Sequence, residues 1–209
     1  MKPQYAETSQ KLKLVKAQFI LLLQKKTLKK AFVTLFSLFL AGVITYNAAI
    51  SFYKITYPKK YSDLIEQNAK RFSIEPSLLY ALIKTESDFD PNALSPVGAM
   101  GLTQIMPETF SWLLTKTGES YETDALYNPE ISVYYGAWLL NYLLDEFGDE
   151  KTALAAYHAG RGIVNKWLSD SELSKDGKTL FEIPYGDTKS YTERVLKIKN
   201  IYINLYERK

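Results

Sequence analysis

Between Lys30 and Lys54 the chain runs for 23 residues without a charge, AFVTLFSLFLAGVITYNAAISFY. Wound as a helix at about 1.5 Å per residue, that run is ~35 Å long, enough to cross a hydrocarbon core ~30 Å thick. Three uses compete for it: a buried helix of a soluble protein, a cleaved signal peptide, and an uncleaved membrane anchor. Few soluble core helices lack charge over such a length. A signal peptide would have a 30-residue leading region here, and its apolar part is usually only about 7–15 residues. The run ends in TYNAAIS, which offers no clear Ala-x-Ala cleavage site. Residues 31–53 therefore read as an uncleaved transmembrane helix, with Tyr46, Phe52 and Tyr53 suited to the membrane interface.

Charge divides the chain at the same place. Residues 1–60 hold 11 lysines and one acid, Glu7, for a net +10; residues 61–209 hold 15 Lys/Arg and 22 Asp/Glu, for a net −7. The overall +3 describes neither part. Eight lysines precede the span, and only Lys54, Lys59 and Lys60 follow it closely. The positive-inside rule puts the N-terminus in the cytoplasm and residues 61–209 outside. The organisation expected is a basic cytoplasmic tail over 1–30, a single span over 31–53, a linker over 54–60 and an outer domain over 61–209. Beside a membrane span, the tail is read as a contact for anionic lipid, not for nucleic acid. The absence of cysteine excludes a disulfide framework, a thiolate nucleophile, a zinc ribbon and an iron–sulfur site. His158 is the only histidine, which excludes any site needing two imidazoles.

Beyond Pro58 the pattern is helical almost throughout, so the outer domain is predicted to be mainly α. Residues 62–72 carry Leu64, Ile65, Asn68, Ala69 and Phe72 on one face. Pro76 suits a first helical turn and precedes the stripe Leu79, Leu82, Ile83. Pro107 opens a helix that Gly118 can end; Asn128-Pro129 opens a long one closed by Gly148. Short helices over 150–159 and 162–168 are punctuated by Gly160 and Gly162. A polar, turn-rich stretch over 169–187 leads to a last helix from Thr188, with Tyr191, Val195, Ile198, Tyr202 and Leu205 on one face.

Glu86 continues the stripe of Leu79, Leu82 and Ile83 by helical spacing, which sets a carboxyl on the buried face of the last turn. Desolvation disfavours its ionised form, the state a general acid at neutral pH must avoid. The alternative is a partly exposed carboxylate paired with a neighbour. The stretch SDFDPNALSPVGAMGLTQIMP that follows is dense in turn residues and forms a long loop back to the helix at Pro107. Long structured loops of this kind often line sites. Asp88 and Asp90 fall in it and read as turn caps, so no second carboxylate is evident beside Glu86.

Three blocks in this order are Glu86-Ser87, Ser95-x-x-Gly98-Ala99-x-Gly101-Leu102-x-Gln104-x-Met106-Pro107 and Ala156-Tyr157-x-Ala159-Gly160. Together they resemble the signature of the soluble-lytic-transglycosylase (SLT) domain family, lysozyme-like enzymes that cut the glycan strands of peptidoglycan. The resemblance covers residues 61–168 and extends more loosely to 183–196. It implies a lysozyme-like SLT domain, here preceded by the one N-terminal transmembrane helix read from residues 31–53. By position it makes Glu86 the sole catalytic acid/base. Ser95 would hydrogen-bond near that acid, Gln104 and Met106 would line the sugar groove, Tyr157 would face the carboxyl and Tyr191 would close the cleft. Two positions depart from the family: His158 stands where it usually has Asn, and Asp187-Thr188-Lys189 where it has Glu-Thr-Arg. His158 could serve as a second base, but reads rather as a hydrogen-bonding substitute for that Asn, since imidazole also donates and accepts.

The family further implies a mechanism without metal or cofactor. Glu86 would protonate the oxygen joining N-acetylmuramic acid to N-acetylglucosamine while the substrate's acetamido group stabilises the positive charge. Glu86 would then take the proton of the muramic C6 hydroxyl, closing a 1,6-anhydro ring. The expected partners are peptidoglycan strands, membrane lipid through 31–53 and the basic tail, and machinery of wall synthesis, division or secretion; the expected location is a bacterial cell membrane. A hydrolytic muramidase of the same fold and a non-catalytic tether that binds peptidoglycan are the rival readings.

Overall fold

The computed structural model describes residues 3–208, with side chains from residue 13 onward. The chain divides into two compact units after Ile55.

The first unit is one helix, α1, Pro3–Thr56. It includes a stretch, Lys13–Thr56, long and apolar enough to cross a membrane, with a mean hydropathy of 1.8 and none of its apolar window buried. Phe36 and Phe39 stand 56% and 69% exposed. Burying each such side chain is worth about 1.5–3 kcal/mol, and a soluble protein that built its core from this helix would have buried them. By length and composition α1 is a candidate membrane span, and its apolar side chains are not part of a buried core. The exposed apolar surface also continues below Lys30, through Leu14, Val15, Phe19 and residues 20–23.

The second unit is built of α2 (Ser62–Arg71), α3 (Pro76–Ser87), α4 (Pro107–Thr117), a 3-10 turn (Thr123–Tyr127), α5 (Pro129–Phe147), α6 (Glu150–Ala159), α7 (Arg161–Leu168), α8 (Gly186–Tyr202) and a π-helical turn (Ile203–Glu207). Among the described residues, β pairing is confined to two isolated bridges, Leu94 with Met100 and Met100 with Ile105. Punctuation follows the sequence. Pro76, Pro107 and Pro129 occupy first turns, where the missing N–H has no helical partner to lose. The side chains of Asn128 and Asp149 accept from the N–H of Glu130 and Thr152, both at 2.8 Å. The last helix starts at Gly186, two residues before Thr188, and Leu205 lies half-buried in the π-helical turn beyond its end.

α3 is the axis of this unit. Every residue from Ser77 to Ile83 is buried, because α2, α5, α6 and α8 surround it with Ile65, Ala69, Leu140, Leu154, Val195 and Ile198. Lys199 of α8 reaches Glu75, just before α3, and Glu150 at the start of α6, each at 2.6 Å. One cation thereby ties the openings of two helices to α8.

Residues 54–60, read from the sequence as a linker, divide between α1, which runs to Thr56, and a segment packed within the second unit. The hydroxyls of Tyr202 and Tyr206 donate to the carbonyls of Pro58 and Tyr57, both at 2.9 Å. Lys59 lies 2.5 Å from Glu66 and over the rings of Tyr80 and Tyr206 at 5.3 and 5.5 Å. Tyr57 also packs edge-on to Tyr202. A fragment starting at Thr56 should therefore melt higher than one starting at Ser62. A loss of ~2 kcal/mol corresponds to roughly 4–8 °C for a domain of this size; equal melting temperatures would mean that the segment contributes nothing.

Candidate active site

α3 carries its buried face to its last turn, and Glu86 sits there, partly buried. The helix stops because Asp88 and Phe89 both take left-handed backbone, φ 52° and 63°, a conformation that costs roughly 1–2 kcal/mol per non-glycine residue. Burial of the Phe89 ring beside Tyr80 offsets that cost. The Ser87 hydroxyl donates to the Leu102 carbonyl at 2.8 Å, tying the helix end to the far side of the loop.

The loop over 88–106 is closed on itself. The Ser95 hydroxyl accepts the Ala99 N–H at 2.8 Å. The Gln104 amide donates to the carbonyls of Ala93 and Gly101 at 3.1 and 2.9 Å, with Gln104 itself at φ 49°. A Cβ on Gly101 would lie 1.9 Å from the Leu126 carbonyl oxygen, so only glycine fits there. Thr103, fully buried, donates its hydroxyl to the Ser132 carbonyl at 2.8 Å and accepts no space from its neighbour: a Cβ on Gly136 would come within 2.4 Å of its methyl group.

Two tyrosines meet this loop and helix end from the other side. Tyr191 of α8 donates its hydroxyl to Glu86 Oε1 at 2.6 Å. Tyr157 of α6 lies near enough for the Glu86 charge to act on its phenol, and donates its hydroxyl to the Thr103 carbonyl at 2.8 Å. Burial pushes Glu86 up to about 7 from an ordinary 4.5, and the Tyr191 hydrogen bond opposes that rise. Burial, then the Glu86 charge, hold both phenols well above their ordinary range, so each keeps its proton. The His158 ring packs on Tyr191 with centroids 4.4 Å apart, and its Nδ1 lies 3.1 Å from the Thr188 hydroxyl. Burial lowers the His158 pKa, and Asp187 works against that.

Of the residues singled out in the sequence, Glu86, Tyr157, His158 and Tyr191 come together. The Ser95 hydroxyl and the Gln104 amide are engaged within the loop, and Met106 stands half-buried immediately before α4. Neither nearby aspartate pairs with Glu86. Asp88 forms an ion pair with Lys84 and is largely exposed, and Asp90 accepts the Asn92 N–H at 2.9 Å. Among the described residues, no other carboxylate contributes to the shift of Glu86. Reading the sequence did not single out a groove of about 350 Å³ lined by Glu108, Trp112, Tyr142, Tyr157 and Arg161. Glu86 is not in its wall; Tyr157 links the two regions. The signal was Trp138 and Tyr142 one helical turn apart, whose rings stack at 5.6 Å, but aromatics at that spacing more often fill cores.

Fold and site define a helical second unit organised around one desolvated carboxyl group. The family model for the Transglycosylase SLT domain matches residues 63–180, and the chain belongs to that family. It is 34% identical over 154 residues to the soluble lytic murein transglycosylase of Salmonella typhimurium, which covers 70% of this chain and 23% of that protein. It is 29% identical over 172 residues to the membrane-bound lytic murein transglycosylase C of Haemophilus ducreyi, covering 70% and 46%. Among solved structures, the 70 kDa soluble lytic transglycosylase of Escherichia coli superposes with a TM-score of 0.65 at 30% identity, over 73% of this chain and 25% of that one. An inactive glutamate-to-glutamine mutant of the Pseudomonas aeruginosa lytic transglycosylase Slt gives 0.64 at 32%, over 72% and 25%. The chain thus spans about a quarter of the length of its soluble relatives.

The Glu86 shift has a stability consequence with a definite sign. An unfolded glutamate titrates near 4.5 and the folded one near 7, so the folded state binds the proton more tightly. Stability is unaffected below the first value, falls as pH rises through the window, and carries the whole penalty above the second. Glu86→Gln, which mimics the protonated acid, should melt like the parent at pH 4. At pH 8.5 it should be more stable by up to ~3 kcal/mol, at about 1.4 kcal/mol per unit. Thermal melts at the two pH values read this difference.

Proposed function

We propose that this protein is a membrane-anchored lytic transglycosylase that cleaves the bond between N-acetylmuramic acid and N-acetylglucosamine in peptidoglycan and leaves 1,6-anhydro ends, serving cell-wall remodelling. One observation carries the reading: a single buried carboxyl, Glu86, with a pKa near 7 and no carboxylate partner. Glycosidases that hydrolyse usually employ two carboxyls, one as acid and one as base or nucleophile. With one, the substrate must supply the missing group, as its acetamido oxygen can.

Glu86 then serves twice. Protonated, it donates to the glycosidic oxygen as the bond breaks; ionised, it takes the proton of the C6 hydroxyl as that oxygen closes on the anomeric carbon. A pKa near the working pH suits both steps, because neither protonation state is scarce. Tyr191 donates to the carboxylate as it forms and keeps it aimed. The groove with Trp112 and Tyr142 offers apolar faces to sugar rings, while Ser95, Gln104 and Met106 belong to the segment that leads from α3 to α4 and are assigned to substrate by motif position. Names of relatives support the same class: soluble and membrane-bound lytic murein transglycosylases, and a soluble enzyme solved in complex with bulgecin A.

The anchor reading rests on α1 and on the lysine excess before residue 31, with the outer domain outside the cytoplasmic membrane. A protease added to intact spheroplasts should then degrade residues 61–209 and spare the tail; protection of the outer domain would reverse the topology. The reaction is read by mass spectrometry of purified peptidoglycan digested by the outer domain. Anhydro-ended products are expected, and Glu86→Gln should lower turnover at least 1000-fold. Reducing ends alone would make the protein a muramidase, and binding without turnover would make it a tether.

A further inference from the structure

His158 has no role in the proton transfers above, yet it touches the group that does the aiming. The Tyr191 hydroxyl can hold Glu86 only while its ring keeps one orientation. One face of that ring is covered by His158, centroid to centroid 4.4 Å at 30°. The imidazole is itself fixed by Nδ1, 3.1 Å from the hydroxyl of Thr188. Thr188 and Tyr191 are three residues apart on α8 and both are buried, so they share a face, and His158 bridges them from the last turn of α6. A contact between two helices is thereby converted into the orientation of one phenol.

We infer that His158 is a positioning residue: its ring, pinned by Thr188, clamps the Tyr191 phenol in the orientation from which it donates to Glu86. The inference rests on the proposed role of Glu86 as acid/base. The charged and titratable groups facing His158 are Asp187 and Tyr191 on α8; beyond Tyr191 lie Glu86 on α3 and Tyr157 on α6. Burial disfavours its cation, so the ring that packs on Tyr191 at neutral pH is the uncharged one. Asparagine can replace the Nδ1 hydrogen bond but cannot cover an aromatic face, which makes the two contacts separable.

The test uses the full chain in detergent on purified peptidoglycan, with pH profiles of kcat and KM. Loosening Tyr191 weakens a hydrogen bond that lowers the Glu86 pKa. His158→Ala should therefore move the basic limb of the profile upward by roughly 0.5 unit and cut kcat about tenfold, with KM changed by less than about twofold. Tyr191→Phe should do the same or more, and the double variant should add nothing to Tyr191→Phe. His158→Phe, which keeps the ring, should retain a profile close to the parent, and His158→Asn should behave like His158→Ala. A His158→Ala profile coincident with the parent, or full additivity in the double variant, overturns the inference. Where an alanine variant folds poorly, the comparison of Phe with Asn at 158 decides alone. Retained activity in Glu86→Gln would sink the acid/base reading; the His158–Tyr191 coupling would then still be read from the pH-dependent melting of each variant.

Discussion

The hydrogen bond from Tyr191 to Glu86 sets two opposing demands on the outer domain. The carboxyl must be buried deeply enough to hold a proton near neutral pH, and it must be stabilised enough to give that proton up. Burial alone would drive the pKa further up; the phenol at 2.6 Å pulls it back. The pair joins α3 to α8, 105 residues apart in the chain, so the balance is a property of the assembled fold and of no local segment.

Much of the architecture serves to keep that pair still. α3 is buried along its length, and its exit is forced by two left-handed residues and by the Ser87 hydroxyl. The loop that follows closes through Gln104 and is sealed against the 3-10 turn and α5 at Gly101 and Gly136. Tyr157 is part of this framework, since its hydroxyl supports the loop at Thr103 while its ring faces the groove. A buried acid with a raised pKa subtracts from stability as pH rises from its ordinary 4.5, in full above about 7, and such a cost is typical of functional groups held for chemistry.

The helices were legible from the sequence because proline, glycine and capping residues mark their ends and a 3.6-residue stripe marks each buried face. Glu86 was legible as a carboxyl in phase with Leu79, Leu82 and Ile83. The partner of that carboxyl was less so. Motif position set Tyr157 facing the carboxyl and Tyr191 closing the cleft; that the Tyr191 phenol donates to Glu86 depends on how α8 crosses α3. The hydrogen bonds that Ser95 and Gln104 make to the Ala99 N–H and to the carbonyls of Ala93 and Gly101 were not legible, because a loop with left-handed residues must satisfy its own backbone and the pairing depends on how it closes. Thr103 and Ser132 give no pattern in one dimension, since the contact of the loop with α5 brings them together, and the groove around Trp112 and Tyr142 left only an aromatic spacing on α5 that cores share.

Direct titration of the Glu86 carboxyl tests the central claim. In the full chain carrying 13C-labelled glutamate, with Glu86→Gln to assign the resonance, the midpoint is expected near 7 and should move upward in Tyr191→Phe. A midpoint near the ordinary 4.5, or no response to the loss of the phenol, would contradict it.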